Sequence, residues 1–133
     1  MGLNELAKEI HKNAVAHGWW ETERSFPEII ALCHSELSEA LEEYRNGNNE
    51  LYFKGQDNSQ NFYILSLSQY VYYASQGIIK EELSPEGIAI ELADCIIRIL
   101  DYCSHVGIDI DSIIKLKTEY NKKRPYRHGG KIC

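Results

Sequence analysis

An all-α bundle of four to five helices is the fold class this sequence predicts, and three features predict it. Apolar residues recur at helical spacing over long stretches, as in Leu3, Leu6, Ala7, Ile10 and Ala14. Capping residues and helix-stopping glycines punctuate those stretches. No segment carries a strong strand alternation, and there is no low-complexity tract. The 133 residues suit one domain spanning 1–133, with a core that needs no staples. Hydrophobic content of 44% with only three prolines leaves no part that reads as disordered.

The first helix is expected over residues 3–17, stopped by Gly18. The connection HGWWETER follows. Its two tryptophans serve either as hydrophobic anchors or as one core residue and one base-stacking platform, for which Trp19 is the candidate. Ser25-Phe26-Pro27-Glu28 opens the second helix, with Ser25 as N-cap and Glu28 closing a capping box. That helix runs to about Arg45 and ends in NGNN, with Ile30, Cys33, Leu37, Ala40, Leu41 and Tyr44 as its core face. Residues 47–84 are rich in tyrosine and aliphatics. A helix is expected over residues 60–76 in preference to a hairpin, with Tyr70, Tyr72 and Tyr73 as a wall beside the substrate or as core. Ser84-Pro85-Glu86 is expected to open the next helix, with Ser84 as N-cap and Pro85 at the first helical position; it ends near Gly107. Asp109 then caps the last helix, which carries Ile110, Ile113, Leu116 and Tyr120 and stops at Pro125.

Two acidic pairs stand out against this framework. Glu36-Leu37-Ser38-Glu39 lies in one helix and Glu91-Leu92-Ala93-Asp94 in another. Spacing of i and i+3 places each pair on one helix face. On the second helix Glu91, Asp94, Arg98, Asp101 and His105 fall in a stripe about 80° wide. Nearly everything else from Ile88 to Cys103 is apolar or small, so this helix is expected to be buried all round, with its polar stripe aimed into a site. Converging carboxylates repel one another, and a hard divalent cation with oxygen ligands relieves that repulsion. The alternative is that these are the ordinary surface acids of two amphipathic helices.

Charge is unevenly placed. From Lys115 onward there are seven Lys or Arg and one acid; the preceding residues carry seven against nineteen. An acidic body with a basic tail suits a metal and an anionic ligand and argues against nucleic-acid binding. No run of about 18 apolar residues exists to span a membrane, and MGLNELAKEIHKNA reads as a polar amphipathic helix and not as a signal peptide. Cys33, Cys95, Cys103 and Cys133 lack CxxC spacing, which fits small core residues in a reducing cytoplasm and argues against zinc. No GxxxxGK[ST] phosphate loop is present.

Together these residues resemble a known family. Ser35-Glu36-Leu37-Ser38-Glu39-Ala40 followed by Glu91-Leu92-Ala93-Asp94 is similar to the ExxE and ExxD signature of MazG-like nucleotide pyrophosphohydrolases, of the all-α NTP pyrophosphatase superfamily. The segment from Tyr120 to Lys131 and the early His17-Gly18-Trp19-Trp20-Glu21 resemble one branch of it. The resemblance implies Mg²⁺-dependent hydrolysis of a nucleoside triphosphate to monophosphate and pyrophosphate, with deoxynucleotides the expected class and Mn²⁺ a possible substitute. It implies that Glu36, Glu39, Glu91 and Asp94 are the catalytic metal ligands, and that the chain works as a homodimer or homotetramer. One departure is the spacing: 51 residues separate Glu39 from Glu91, where the family often has one to two dozen. The tyrosine-rich segment is the excess.

Chemistry of this kind rests on positioning and charge. Lys117, Arg124, Arg127 and Lys131 are expected to neutralise the triphosphate, with Asn121 and His128 beside them, and residues 125–131 are expected to order over it as a partial lid. Two rivals remain. A di-iron carboxylate bundle needs Glu-x-x-His pairs, which the chain lacks. A non-catalytic helical interaction or regulatory module needs only that the acids be solvated.

Overall fold

Five helices and three short strands make up the computed structural model, which describes residues 1–56, 62–77 and 83–126. The helices are α1 (Leu3–Ala16), α2 (Phe26–Arg45), α3 (Leu67–Ser75), α4 (Ile88–Val106) and α5 (Ile110–Lys122). The strands are β1 (Tyr52–Gln56), β2 (Phe62–Leu65) and β3 (Ser84–Glu86). The fold is therefore mostly helical but not all-α. No helix among the described residues is long and apolar enough to cross a membrane.

The described chain forms two compact units. One comprises Met1–Arg24 with the chain from Ile99 on; the other is Ser25–Arg98. In the first, α1 ends where a left-handed residue is needed. Gly18 has φ 83°, the amide of Trp19 returns to the Ala14 carbonyl, and that of Gly18 to Val15. At its other end α1 has Gly2 in the capping position, which offers no side chain. Asp111 from α5 fills the role, accepting from the amides of Leu3 and Asn4 at 3.0 Å each. Asn4 returns the contact by donating to Asp109 at 2.7 Å. Asp109 caps α5 as the sequence predicts, accepting from the Ser112 amide. A polar cluster lies deeper in this unit. Trp20 donates from Nε1 to both Asp101 oxygens at 3.1 Å, and His11 Nδ1 meets Asp101 at 2.6 Å. The Trp20 ring stacks on His105 at 3.7 Å, and His105 meets Glu23 at 2.9 Å.

The second unit holds α2, the sheet, α3 and the first part of α4. Ser25 caps α2 by accepting from the Glu28 amide. The sheet has order β2-β1-β3 and is antiparallel throughout, with Phe53 opposite Leu65 and Tyr52 opposite Glu86. This corrects the expected helix over residues 60–76. Phe62–Leu65 pairs with β1 as a strand, and the helix begins only at Leu67, where Ser66 and Gln69 form a reciprocal capping box. Residues 60 and 61 lie outside the described set. Phe53 stacks on Tyr70 at 4.2 Å, which ties β1 to α3. Tyr70 is half-buried and Tyr72 exposed.

Ser84-Pro85 does not start a helix either. Both residues belong to β3, an edge strand, where the missing N–H of Pro85 is tolerated. Gly87 makes the turn into α4 with φ 113°. A Cβ there would lie 2.4 Å from the Glu50 carbonyl oxygen, so only glycine lets the two backbones pass. That carbonyl accepts from the Ala89 amide and so fixes the start of α4.

Candidate metal centre

Two helices of one unit supply the site. On α2 the buried stripe is Ile29, Cys33, Glu36 and Ala40, so a glutamate sits in the middle of the packed face. Glu36 is 6% exposed and is the one buried charged residue among those described. On α4 Glu91 and Asp94 are half-buried, and oxygens of Glu36, Glu91 and Asp94 lie within 4.8 Å of one another. Glu39 is exposed and stands outside that triad, but its side chain hydrogen-bonds to Glu91. The structure thus brings the four sequence-predicted acids to one place, three tightly and one at the rim.

The carboxylates strain against each other. Burial, the hydrogen bond that protonated Glu91 donates to Glu39, and the charges of Glu39, Asp94 and Glu36 push Glu91 up to about 7 from an ordinary 4.5. Burial and Glu36 raise Asp94 as well, partly offset by Arg98. Arg98 donates from Nε to Glu36 Oε1 at 2.6 Å. A set of oxygen donors that must hold a proton to coexist fits a hard divalent cation, which would replace that proton.

Further residues complete the site that the sequence reading did not place there. Glu43 and Glu86 also come within 4.8 Å of Glu91, so Glu91 is shared between two acidic groups. Glu43 is fixed by the Tyr52 hydroxyl, which donates to both its oxygens at 3.0 Å, and by Asn48 Nδ2 at 2.7 Å. Burial and Glu43 push the Tyr52 phenol up to about 12, so it stays a donor. Glu86 reaches this place because β3 pairs with β1 opposite Tyr52. A hollow of about 170 Å³ opens between Glu39, Glu42, Glu43, Asn46 and Glu91. It has room for an ion with several of its waters. The sequence signal for Glu43 is its place one helical turn after Glu39, and that for Glu86 is its nearness to Glu91.

The other candidates belong to the other unit. Trp19 is 42% exposed, with the Arg24 guanidinium 4.8 Å from its ring. Trp20 takes the packed role, so the two tryptophans divide as core and surface. Lys117 and Arg124 lie over the Tyr120 ring at 4.6 and 5.9 Å, and Asn121 is exposed near the end of α5. Arg127, His128 and Lys131 lie outside the described residues, and with them most of the expected lid.

The apolar faces depart from expectation. Of the expected core face of α2, Cys33 and Ala40 are buried, but Leu41 is 55% and Tyr44 72% exposed, with Ile30 and Leu37 also open. The buried stripe is rotated toward Ile29 and Glu36. Helix α4 is not buried all round: Leu92, Ile96, Ile97 and Ile99 are exposed, whereas its polar stripe is half-buried. The burial of α4 falls on Cys95, Leu100 and Cys103 and, in part, on the polar stripe. Comparison with known proteins finds no matching family model, no matching curated protein and no matching solved structure.

Proposed function

We propose that this chain is a divalent-cation-dependent nucleoside triphosphate pyrophosphohydrolase, releasing pyrophosphate and a nucleoside monophosphate, with deoxynucleotides as the expected substrates. The observation that carries the reading is the convergence of Glu36, Glu91 and Asp94 within 4.8 Å, with Glu91 held near 7 by burial and by the neighbouring carboxylates. Mg²⁺ is the expected ion because the donors are all carboxylate oxygens, with no histidine or thiol among them. The same absence of histidine weighs against a di-iron centre.

Glu36, Glu91 and Asp94 would hold the cation. When bound, such an ion polarises a phosphoryl oxygen and lowers the pKa of a coordinated water. Glu39 stands at the rim with an exposed carboxylate, placed to accept a proton from an attacking water. The Tyr52 hydroxyl and Asn48 orient Glu43 at the far side of Glu91 and keep that carboxylate from turning away. Trp19, Lys117, Asn121, Arg124, Arg127, His128 and Lys131 are proposed as substrate contacts on the sequence resemblance alone.

A homo-oligomer is part of the same proposal. Ile30, Leu37, Leu41 and Tyr44 form a stripe within about 60° on α2, beside the buried stripe. Leu92 and Ile96 add an exposed apolar strip on α4 of the same unit. Exposed apolar stripes of this kind are what a second copy would cover.

The test is a panel of NTPs and dNTPs with Mg²⁺, following both products. Pyrophosphate and a monophosphate should appear in one step, and Glu36→Gln and Asp94→Asn should each lower turnover by orders of magnitude with the fold intact. Release of inorganic phosphate with an accumulating diphosphate would refute the assignment.

A further inference from the structure

Arg98 has no part in the site as the sequence presents it, beyond its place in the polar stripe of α4. It follows Asp94 by four residues, one helical turn on the same face. Its Nε lies 2.6 Å from Glu36 Oε1, and its side chain is 26% exposed against 9% for that of Glu36. A carboxylate buried at that depth, with Glu91 and Asp94 beside it, is costly to keep ionised without a counter-charge. The guanidinium supplies that charge on one of the oxygens the triad would offer to a cation.

We propose that Arg98 is the resident counter-cation of the carboxylate centre, holding Glu36 in place when no divalent cation is bound and setting, through its own charge, how tightly that cation binds. The inference rests on the reading of Glu36, Glu91 and Asp94 as a metal centre. Two consequences follow from one positive charge at this position. The metal-free protein keeps a buried carboxylate without unfolding. The incoming ion meets a site one unit less negative than the carboxylates alone would make it, and Coulomb attraction to a doubly charged ion is reduced accordingly. Arg98 also stands one helical turn from Asp94, so its charge acts on more than one member of the triad. It is a positioning and affinity-setting residue, acting through Glu36.

The experiment is calorimetric titration of the full chain with Mn²⁺, alongside thermal melting with and without the ion, for the wild type, Arg98→Met and Arg98→Lys. Arg98→Met is close in length and removes the charge; Arg98→Lys keeps the charge and loses the planar fork. Arg98→Met should bind Mn²⁺ at least tenfold more tightly, and its melting temperature should rise more on adding the ion than that of the wild type. Arg98→Lys should stay within about threefold of the wild type, since the charge is what matters. Should Arg98→Met fail to fold in metal-free buffer, millimolar Mn²⁺ should restore it, because the ion takes over the neutralising role. A folded Arg98→Met with unchanged or weaker Mn²⁺ affinity overturns the proposal, as does an unfolded one that the ion does not rescue. If the wild type and both variants bind no Mn²⁺, the metal reading itself fails, and this outcome is distinct from the others.

Discussion

Replacing Glu91 with glutamine should stabilise the metal-free protein, and the gain should depend on pH in a definite direction. Glu91 is held at about 7 in the fold against 4.5 for an ordinary glutamate. Its folded state therefore binds a proton more tightly than its unfolded state does. The stability tied to that proton is fully present below about 4.5 and is lost as pH rises through about 7. Converted at 1.36 kcal/mol per pH unit, the span corresponds to a cost of about 3 kcal/mol at pH 8. At pH 5 the same linkage leaves less than about 1 kcal/mol. Glutamine keeps an N–H donor for Glu39 and carries no charge at any pH. Glu91→Gln should thus melt higher than the wild type at pH 8, by several degrees for a chain of this size, and nearly together with it at pH 5. Adding millimolar Mg²⁺ at pH 8 should shrink or reverse the difference, because the wild type gains a bound ion that the variant holds less well. The assay is thermal melting by circular dichroism at the two pH values with and without Mg²⁺. A Glu91→Gln protein that is less stable than the wild type at pH 8, or equally shifted at both pH values, would refute the reasoning.

Asp111→Ala removes the acceptor for the amides of Leu3 and Asn4. Since Gly2 cannot replace it, the loss should be about 1–2 kcal/mol, seen as a lower denaturation midpoint with the proposed activity otherwise retained. Light scattering at micromolar concentration should give at least a dimer, and Leu41→Glu, at an exposed position of the apolar stripe on α2, should shift it toward monomer without loss of helix content. A fully active monomeric wild type would contradict the proposed oligomer.

Much of the framework was legible because it is local. Ser25, Gly18 and Asp109 act on backbone groups within a turn or so of themselves, so their roles follow from the residues alone. The ExxE and ExxD pairs were legible for the same reason: i,i+3 spacing fixes a shared face whatever the rest of the chain does. Segments 62–65 and 84–86 were not. Tyrosine-rich stretches suit helix and strand alike, and Ser-Pro-Glu is as good a helix start as it is an edge strand. Pairing with β1, which the local pattern does not encode, decided between them.

By itself, then, the sequence determined which helices form, where most of them start and stop, and which four carboxylates share faces, since these depend on neighbours along the chain. Tertiary structure alone decided that Glu36 lies in the middle of a packed face, that Arg98 sits on it, and that Glu43 and Glu86 arrive beside Glu91 through Tyr52 and the β1–β3 pairing. It also decided that Leu41 and Ile96 stay open within one chain. The physical reason is that burial, and with it the proton affinity of each carboxylate, is a property of which elements meet in space; periodicity says which residues share a face, but not what that face meets.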